Sequence, residues 1–210
     1  MAIKYTEKVI EHFKNPHNIG VIENADASAT EGSPACGDEI TVYLKVNKET
    51  DRIEDVKFQS YGCASNIATG SIITDMAKGK TLDEAEAITW KQAADELGGL
   101  PPVKMHCSVL AVDGLRSAIR TYKKEKKGID YDTTLDVKTI TEELKHVLWP
   151  PLGIDIITLK MVKYIGIDKG AVTVEVSINS DDKYLDPTVA EIVEHVSKIR
   201  GTKSVNVENV

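Results

Sequence analysis

The chain has 210 residues, 41% of them hydrophobic, and a formal net charge of −7 with a pI near 5.3. That length and apolar content support one or two ordinary globular cores. The acidic balance excludes a broad nucleic-acid surface, and no apolar run approaches the length of a membrane span.

Met1–Glu7 has no apolar signal region and turns acidic at once, so a cytoplasmic chain is expected. A helix is predicted from about Thr6 to Lys14, stopped by Asn15-Pro16. A stretch rich in glycine and alanine leads to Cys36, after which Ile40, Val42, Leu44 and Val46 alternate as a half-buried strand does. Asn47–Arg52 reads as a turn and Ile53–Tyr61 as the partner strand. Ala64–Ala77 reads as a helix closed by Lys78-Gly79-Lys80, and Thr81-Leu82-Asp83-Glu84 has the form of a capping box opening a short helix. Val109, Val112, Ile119 and Tyr122 share one helical face, so a longer helix is expected to start near Cys107.

Lys123-Lys124-Glu125-Lys126-Lys127-Gly128 ends that pattern. The lysine run is either a binding patch or a solvated helix end, where cations complement the dipole. We place a first domain at 1–128, a linker at 129–135 and a second domain at 136–210. Residues 1–128 hold 17 basic and 19 acidic side chains, and residues 129–210 hold 9 and 14. The second domain reads helix, strand, strand, helix, strand. Val137–Val147 is the first helix, broken by Trp149-Pro150-Pro151-Leu152-Gly153. Leu159–Ile167 and Ala171–Ile178 flank the hairpin signal Asp168-Lys169-Gly170. Asp186-Pro187 offers an N-cap and a first-position proline for a helix to about Ile199, and Ser204–Glu208 is a last strand.

All three cysteines, Cys36, Cys63 and Cys107, precede the break. An odd number of thiols argues against a disulfide framework and for reduced thiols free to bind metal or carry sulfur. Cys36 lies between Pro34 and Gly37, in a loop able to turn sharply. Cys63 precedes one helix and Cys107 lies in or near the first turn of another. Helix N-termini favour anions, so both thiols are expected to ionise more readily than usual. On spacing alone, three isolated cysteines are either ligands or small buried apolar side chains.

The surrounding residues narrow the reading. Pro34-Ala35-Cys36-Gly37-Asp38, Tyr61-Gly62-Cys63-Ala64-Ser65 and Leu100-Pro101-Pro102-Val103-Lys104-Met105-His106-Cys107-Ser108 resemble the scaffold proteins of iron–sulfur cluster assembly, the IscU/NifU N-terminal family. So do Tyr5–Phe13, Asn15-Pro16-His17-Asn18-Ile19-Gly20 and Lys78–Ala85, and the motifs run in order from about residue 3 to 124. The resemblance implies an α+β fold, an antiparallel sheet with helices packed on it. It implies a carrier and assembly platform rather than a turnover enzyme. It further implies that a [2Fe–2S] cluster is built from iron on Cys36, Cys63 and Cys107, with sulfur delivered as persulfide by a cysteine desulfurase, and passes to apo-proteins. Cys107 is implied as the sulfur acceptor. Asp38 matches the aspartate beside the first cysteine; as a harder ligand than thiolate it is expected to set cluster lability. His106 is either a further ligand or a helix-start histidine bonded to backbone. Lys104 either steadies an anionic cluster or is solvated. Leu100, Pro101, Pro102, Val103 and Lys104 match a segment that an Hsp70-type chaperone recognises in the family, and they also suit a rigid loop aiming Cys107. A homodimer holding the cluster between subunits is a further arrangement the symmetry of such proteins allows.

The second domain resembles the small PaaD/SufT-like assembly domain through Leu148-Trp149-Pro150-Pro151-Leu152-Gly153-Ile154-Asp155 and the two strands that follow, in the order αββαβ. No cysteine follows Cys107, so the expected role is docking or dimer formation. His146 and His195 fall on helical patterns and read as ordinary side chains. Two other classes compete for the cysteine site. One is a zinc protein with the three thiols and Asp38 or His106 as a closed tetrahedral set; the other is a nucleophile enzyme pairing Cys107 with His106. The latter is disfavoured because adjacent helical residues point about 100° apart.

Overall fold

The computed structural model describes residues 4–33, 37–129 and 134–210. In its first part, the alternation from Ile40 to Val46 builds the central strand of a three-stranded antiparallel sheet. Its strands are β1 (Ala27–Gly32), β2 (Glu39–Val46) and β3 (Ile53–Tyr61), in that order. Val42 stands opposite Ala29 on one side and Phe58 on the other. Ile40, Val42, Leu44, Val56 and Phe58 are all buried on the face that the helices cover. β1 was not expected: Ala27-Ser28-Ala29-Thr30-Glu31-Gly32 has small side chains and no strong alternation. It becomes a strand because β2 offers it a complete ladder of partners.

Two helices lie on this face, α2 (Ala64–Ala77) and α5 (His106–Lys127). Glycines let both come close. A β-carbon built at Gly70 of α2 would stand 2.5 Å from the Phe58 ring, and one at Gly114 of α5 would stand 3.1 Å from Ile40. α2 is buried nearly all round, and most of its polar side chains find partners, although Ser65 Oγ and Asn66 Oδ1 have none among the described residues. The hydroxyls of Thr69 and Thr74 donate to carbonyls one turn back. α1 (Glu7–Lys14) is capped by Thr6, whose hydroxyl accepts from the Val9 N–H. It sets Val9 against Ala68 and Leu97. α3 (Leu82–Glu86) has the expected capping box at Thr81 and Glu84. α4 (Trp90–Glu96) was not anticipated, although Thr89 and Gln92 form the same device. A 3₁₀ turn at Pro102–Lys104 leads into α5, which ends at left-handed Gly128. The lysines before Gly128 occupy the last turn of α5; Lys127 pairs with Asp51, and buried Lys123 bonds Asp83 at 2.6 Å and Glu86 at 2.7 Å.

The described residues divide into two compact units, the first over 4–33 and 37–129, the second over 134–210. The second unit has its own core around Ile140, Leu144, Val172, Val174, Ile192 and Val196. It contains α6 (Val137–Leu144), the two-residue strands β4 (Leu148–Trp149) and β5 (Ile154–Asp155), β6 (Val162–Asp168), β7 (Ala171–Val176), α7 (Leu185–Ser197) and β8 (Ser204–Asn209). Lys169 and Gly170, with φ of 49° and 95°, make the tight turn that joins β6 to β7. β8 pairs parallel to β7 because α7 carries the chain back across the sheet. α7 starts at Leu185, so Asp186 and Pro187 lie inside its first turn rather than capping it. β6 begins three residues later than expected, since Lys160 takes a left-handed turn first. Among the described residues no helix is long and apolar enough to cross a membrane.

Candidate metal centre

The site is assembled where three stretches of the first unit meet: the loop before β2, the start of α2 and the start of α5. Gly37, left-handed at φ 71°, donates to the Ser33 carbonyl, and Ser33 N–H donates to the Asp38 carbonyl, which ties the loop ends together. Cys36 itself lies outside the described residues. Asp38 follows Gly37 and is buried. Its Oδ2 accepts the Cys63 backbone N–H at 3.3 Å. The approach depends on Gly62: a β-carbon there would stand 2.7 Å from Asp38 Cγ and 2.6 Å from Asn66 Nδ2. The glycine before Cys63 therefore clears the space that the carboxylate fills, a role the sequence signals only through its position.

Cys63 is the N-cap residue of α2, and Cys107 is the second residue of α5. Their sulfurs lie 3.6 Å apart, though 44 residues separate them. Two thiolates about 2.3 Å from one tetrahedral metal stand about 3.8 Å apart, so the pair is spaced to share a metal ion. Cys63 is held down at about 6, chiefly by the hydrogen bond from Cys107. Burial and the Asp38 charge oppose the shift, while the Asn66 backbone N–H and Lys104 support it. The expectation of two readily ionised thiols thus resolves into a division of labour. Cys63 is the thiolate and half-exposed; Cys107 is its hydrogen-bond partner and fully covered.

Cys107 is fixed from behind as well. The Thr69 hydroxyl, buried in α2, lies 3.1 Å from the Cys107 carbonyl, and the Ser108 hydroxyl donates to the Met105 carbonyl at 2.6 Å. His106 departs from the expected divergence of neighbouring helical side chains. Its Nε2 is 3.6 Å from Cys107 Sγ, at the first residue of α5. Burial is the main cause that lowers the His106 pKa, with the Lys104 charge adding to it. The ring is therefore neutral near pH 7 and offers a lone pair. One ligand atom from each of Asp38, His106 and Cys107 lies within 4.8 Å of the others. Lys104 is pulled down by burial, but the Cys63 and Cys107 sulfurs and Tyr5 outweigh that and raise it. It is a permanent cation beside the sulfur pair. The Leu100–Lys104 segment is not extended: Pro102–Lys104 form the 3₁₀ turn, and Leu100 packs against the cluster of Val9, Ala68 and Leu97.

In the second unit, the His146 and His195 rings meet edge to face at 5.8 Å, and His195 Nδ1 lies 3.8 Å from Glu143.

Comparison with known proteins bears on both units. A family model described as NifU-like N terminal domain matches residues 4–146, and one described as iron-sulfur cluster assembly protein matches residues 138–209. The iron–sulfur cluster assembly scaffold protein IscU 1 of Archaeoglobus fulgidus is 50% identical over 141 residues, covering 67% of this chain and 91% of that protein. The iron–sulfur cluster assembly scaffold protein IscU of Escherichia coli is 49% identical over 127 residues, covering 59% of this chain and 98% of that protein. A solved NifU-like protein (N-terminal) from Brucella abortus aligns with a TM-score of 0.47 at 25% identity, covering 57% of this chain and 94% of that one. By the extent of the first match and the identity of these relatives, the chain belongs to the NifU-like N-terminal domain family.

Proposed function

We propose that this chain is a scaffold on which an iron–sulfur cluster is assembled and from which it is released to acceptor proteins. The observation that carries the reading is the Cys63–Cys107 sulfur pair, 3.6 Å apart at the starts of two helices, with Asp38, His106 and Lys104 around it. The pair supplies two thiolate ligands at a spacing that suits one iron. The ends of the Cys36 loop meet beside Asp38, which supports Cys36 as the third ligand. Three thiols leave the set one short of the four that hold a stable cluster. Asp38, a harder and weaker ligand for iron, fills or exchanges the remaining position, so the cluster stays transferable. Neutral His106 is the alternative fourth donor.

The cargo is a [2Fe–2S] cluster, and the sulfur source is a persulfide on a cysteine desulfurase. Transfer needs the attacking group on this chain as thiolate: its sulfur bonds to the outer persulfide sulfur, the S–S bond of the donor breaks, and the donor thiolate leaves. Cys107 receives the sulfur in our reading, passing its proton to the neighbouring Cys63 thiolate as it attacks. Because it is covered as folded, delivery requires the Pro102–His106 segment to move aside. The overlapping stretch Leu100–Lys104 is also where an Hsp70-type chaperone would act, by holding it in an extended form different from the 3₁₀ turn. The chain works as a carrier, without turnover of its own. Zinc is favoured by the same ligands, so zinc in purified protein is compatible with this reading.

Anaerobic reconstitution with iron, a cysteine desulfurase and cysteine tests the proposal. Visible absorption should develop with wild type and be lost in Cys36→Ala, Cys63→Ala and Cys107→Ala, whereas Asp38→Ala should give a longer-lived cluster. Asp38→Ala that blocks assembly while still loading zinc would overturn the lability role. Cysteine variants that assemble as well as wild type would overturn the scaffold site.

A further inference from the structure

A second group of metal-ligating side chains lies elsewhere on the first unit. Asn15-Pro16 ends α1, and left-handed Asn18, φ 54°, turns the chain back. The turn brings the His17 ring to 4.9 Å from His12 in the last turn of α1. Asp75, in the last turn of α2, completes the group: its Oδ2 is 2.6 Å from His17 Nδ1. One ligand atom from each of His12, His17 and Asp75 lies within 4.8 Å of the other two. Asp75 follows Cys63 by twelve residues along α2, about 18 Å at 1.5 Å per residue, so these groups do not belong to the sulfur site.

We propose that His12, His17 and Asp75 bind a borderline divalent transition-metal ion of the zinc or ferrous type. Two imidazoles and one carboxylate make a three-ligand face that leaves positions open for water or exchange, a donor set suited to such ions. The supporting contacts are those that orient metal ligands. The buried Ser71 hydroxyl sits 2.8 Å from His12 Nδ1, so a proton on Nδ1 leaves Nε2 as the ligand atom. The same oxygen accepts the His17 backbone N–H at 2.9 Å. Asn18 Nδ2 donates to the second oxygen of Asp75 at 2.8 Å and to Thr74 Oγ1 at 3.2 Å. Ligands are thus held from behind while the His17–Asp75 side stays exposed to solvent. On entry the ion takes the place of the hydrogen between His17 Nδ1 and Asp75 Oδ2, and the imidazole carries its proton on Nε2 instead.

Zinc titrated by calorimetry into the reduced full-length chain should bind at two classes of site. With cobalt, only one class should show thiolate-to-metal charge-transfer absorption. His17→Gln and Asp75→Asn should each weaken the other class at least tenfold and leave the charge-transfer band unchanged. A single class in wild type, or an undiminished second class in both variants, overturns the proposal. In wild-type protein, cobalt should also broaden the amide resonances of His12, His17 and Asp75 in nuclear magnetic resonance spectra. Broadening confined to the surroundings of Cys63 and Cys107 would overturn it whether or not the variants fold.

Discussion

Cys63 and Cys107 share one chemical problem, two thiols 3.6 Å apart with a lysine ammonium beside them. One proton between two sulfurs is the low-energy arrangement, and the more exposed sulfur gives it up. The expected consequence is pH-dependent reactivity. Alkylation of Cys63, followed by peptide mass spectrometry, should rise through a midpoint of about pH 6, while Cys107 reacts much more slowly. In Cys107→Ala the main cause of the shift is removed, and the midpoint should move upward. A depressed thiol pKa also links to stability: the unfolded chain holds the proton up to the ordinary value of 9.0 and the folded chain only to about 6. The contribution of Cys63 to stability therefore grows as pH rises between those values and is lost as pH falls through 6. None of this division was legible in the residues. Both cysteines carry the same helix-start signal, and what separates them is which one the tertiary packing covers.

Among the elements, α2 shows how packing overrides propensity. Replacing a mid-helix glycine by alanine ordinarily stabilises by about 1 kcal/mol. At Gly70 the added carbon would meet two buried Phe58 ring atoms at 2.5 and 2.6 Å, and overpacking of that kind costs about 1–3 kcal/mol. The clash should win, so Gly70→Ala should lower the urea midpoint with an unchanged m-value; a raised midpoint would mean Phe58 has room to retreat. Helix limits were more readable than helix contacts. Thr81 with Glu84 announced α3. Thr89 with Gln92 carries the same signal for α4. β1 was illegible: its small residues acquire strand structure only from the ladder that β2 supplies.

Each of the two compact units closes its own core, around Phe58, Leu115 and Ile119 in the first and Val174, Ile192 and Val196 in the second. A fragment of residues 1–128 should therefore fold alone and keep the Cys63 alkylation midpoint at about 6; a midpoint near 9 in a folded fragment would show that the sulfur site depends on the remainder of the chain. Composition, the strand alternation of β2 and the capping box at Thr81 were readable in the residue order, since each is set by neighbours a few positions away. The 58-residue closure between His17 and Asp75, the return of His106 toward Cys107 and the parallel pairing of β8 were not. They depend on how finished elements stack, and stacking is governed by side-chain volume and approach distance between segments that no local pattern records.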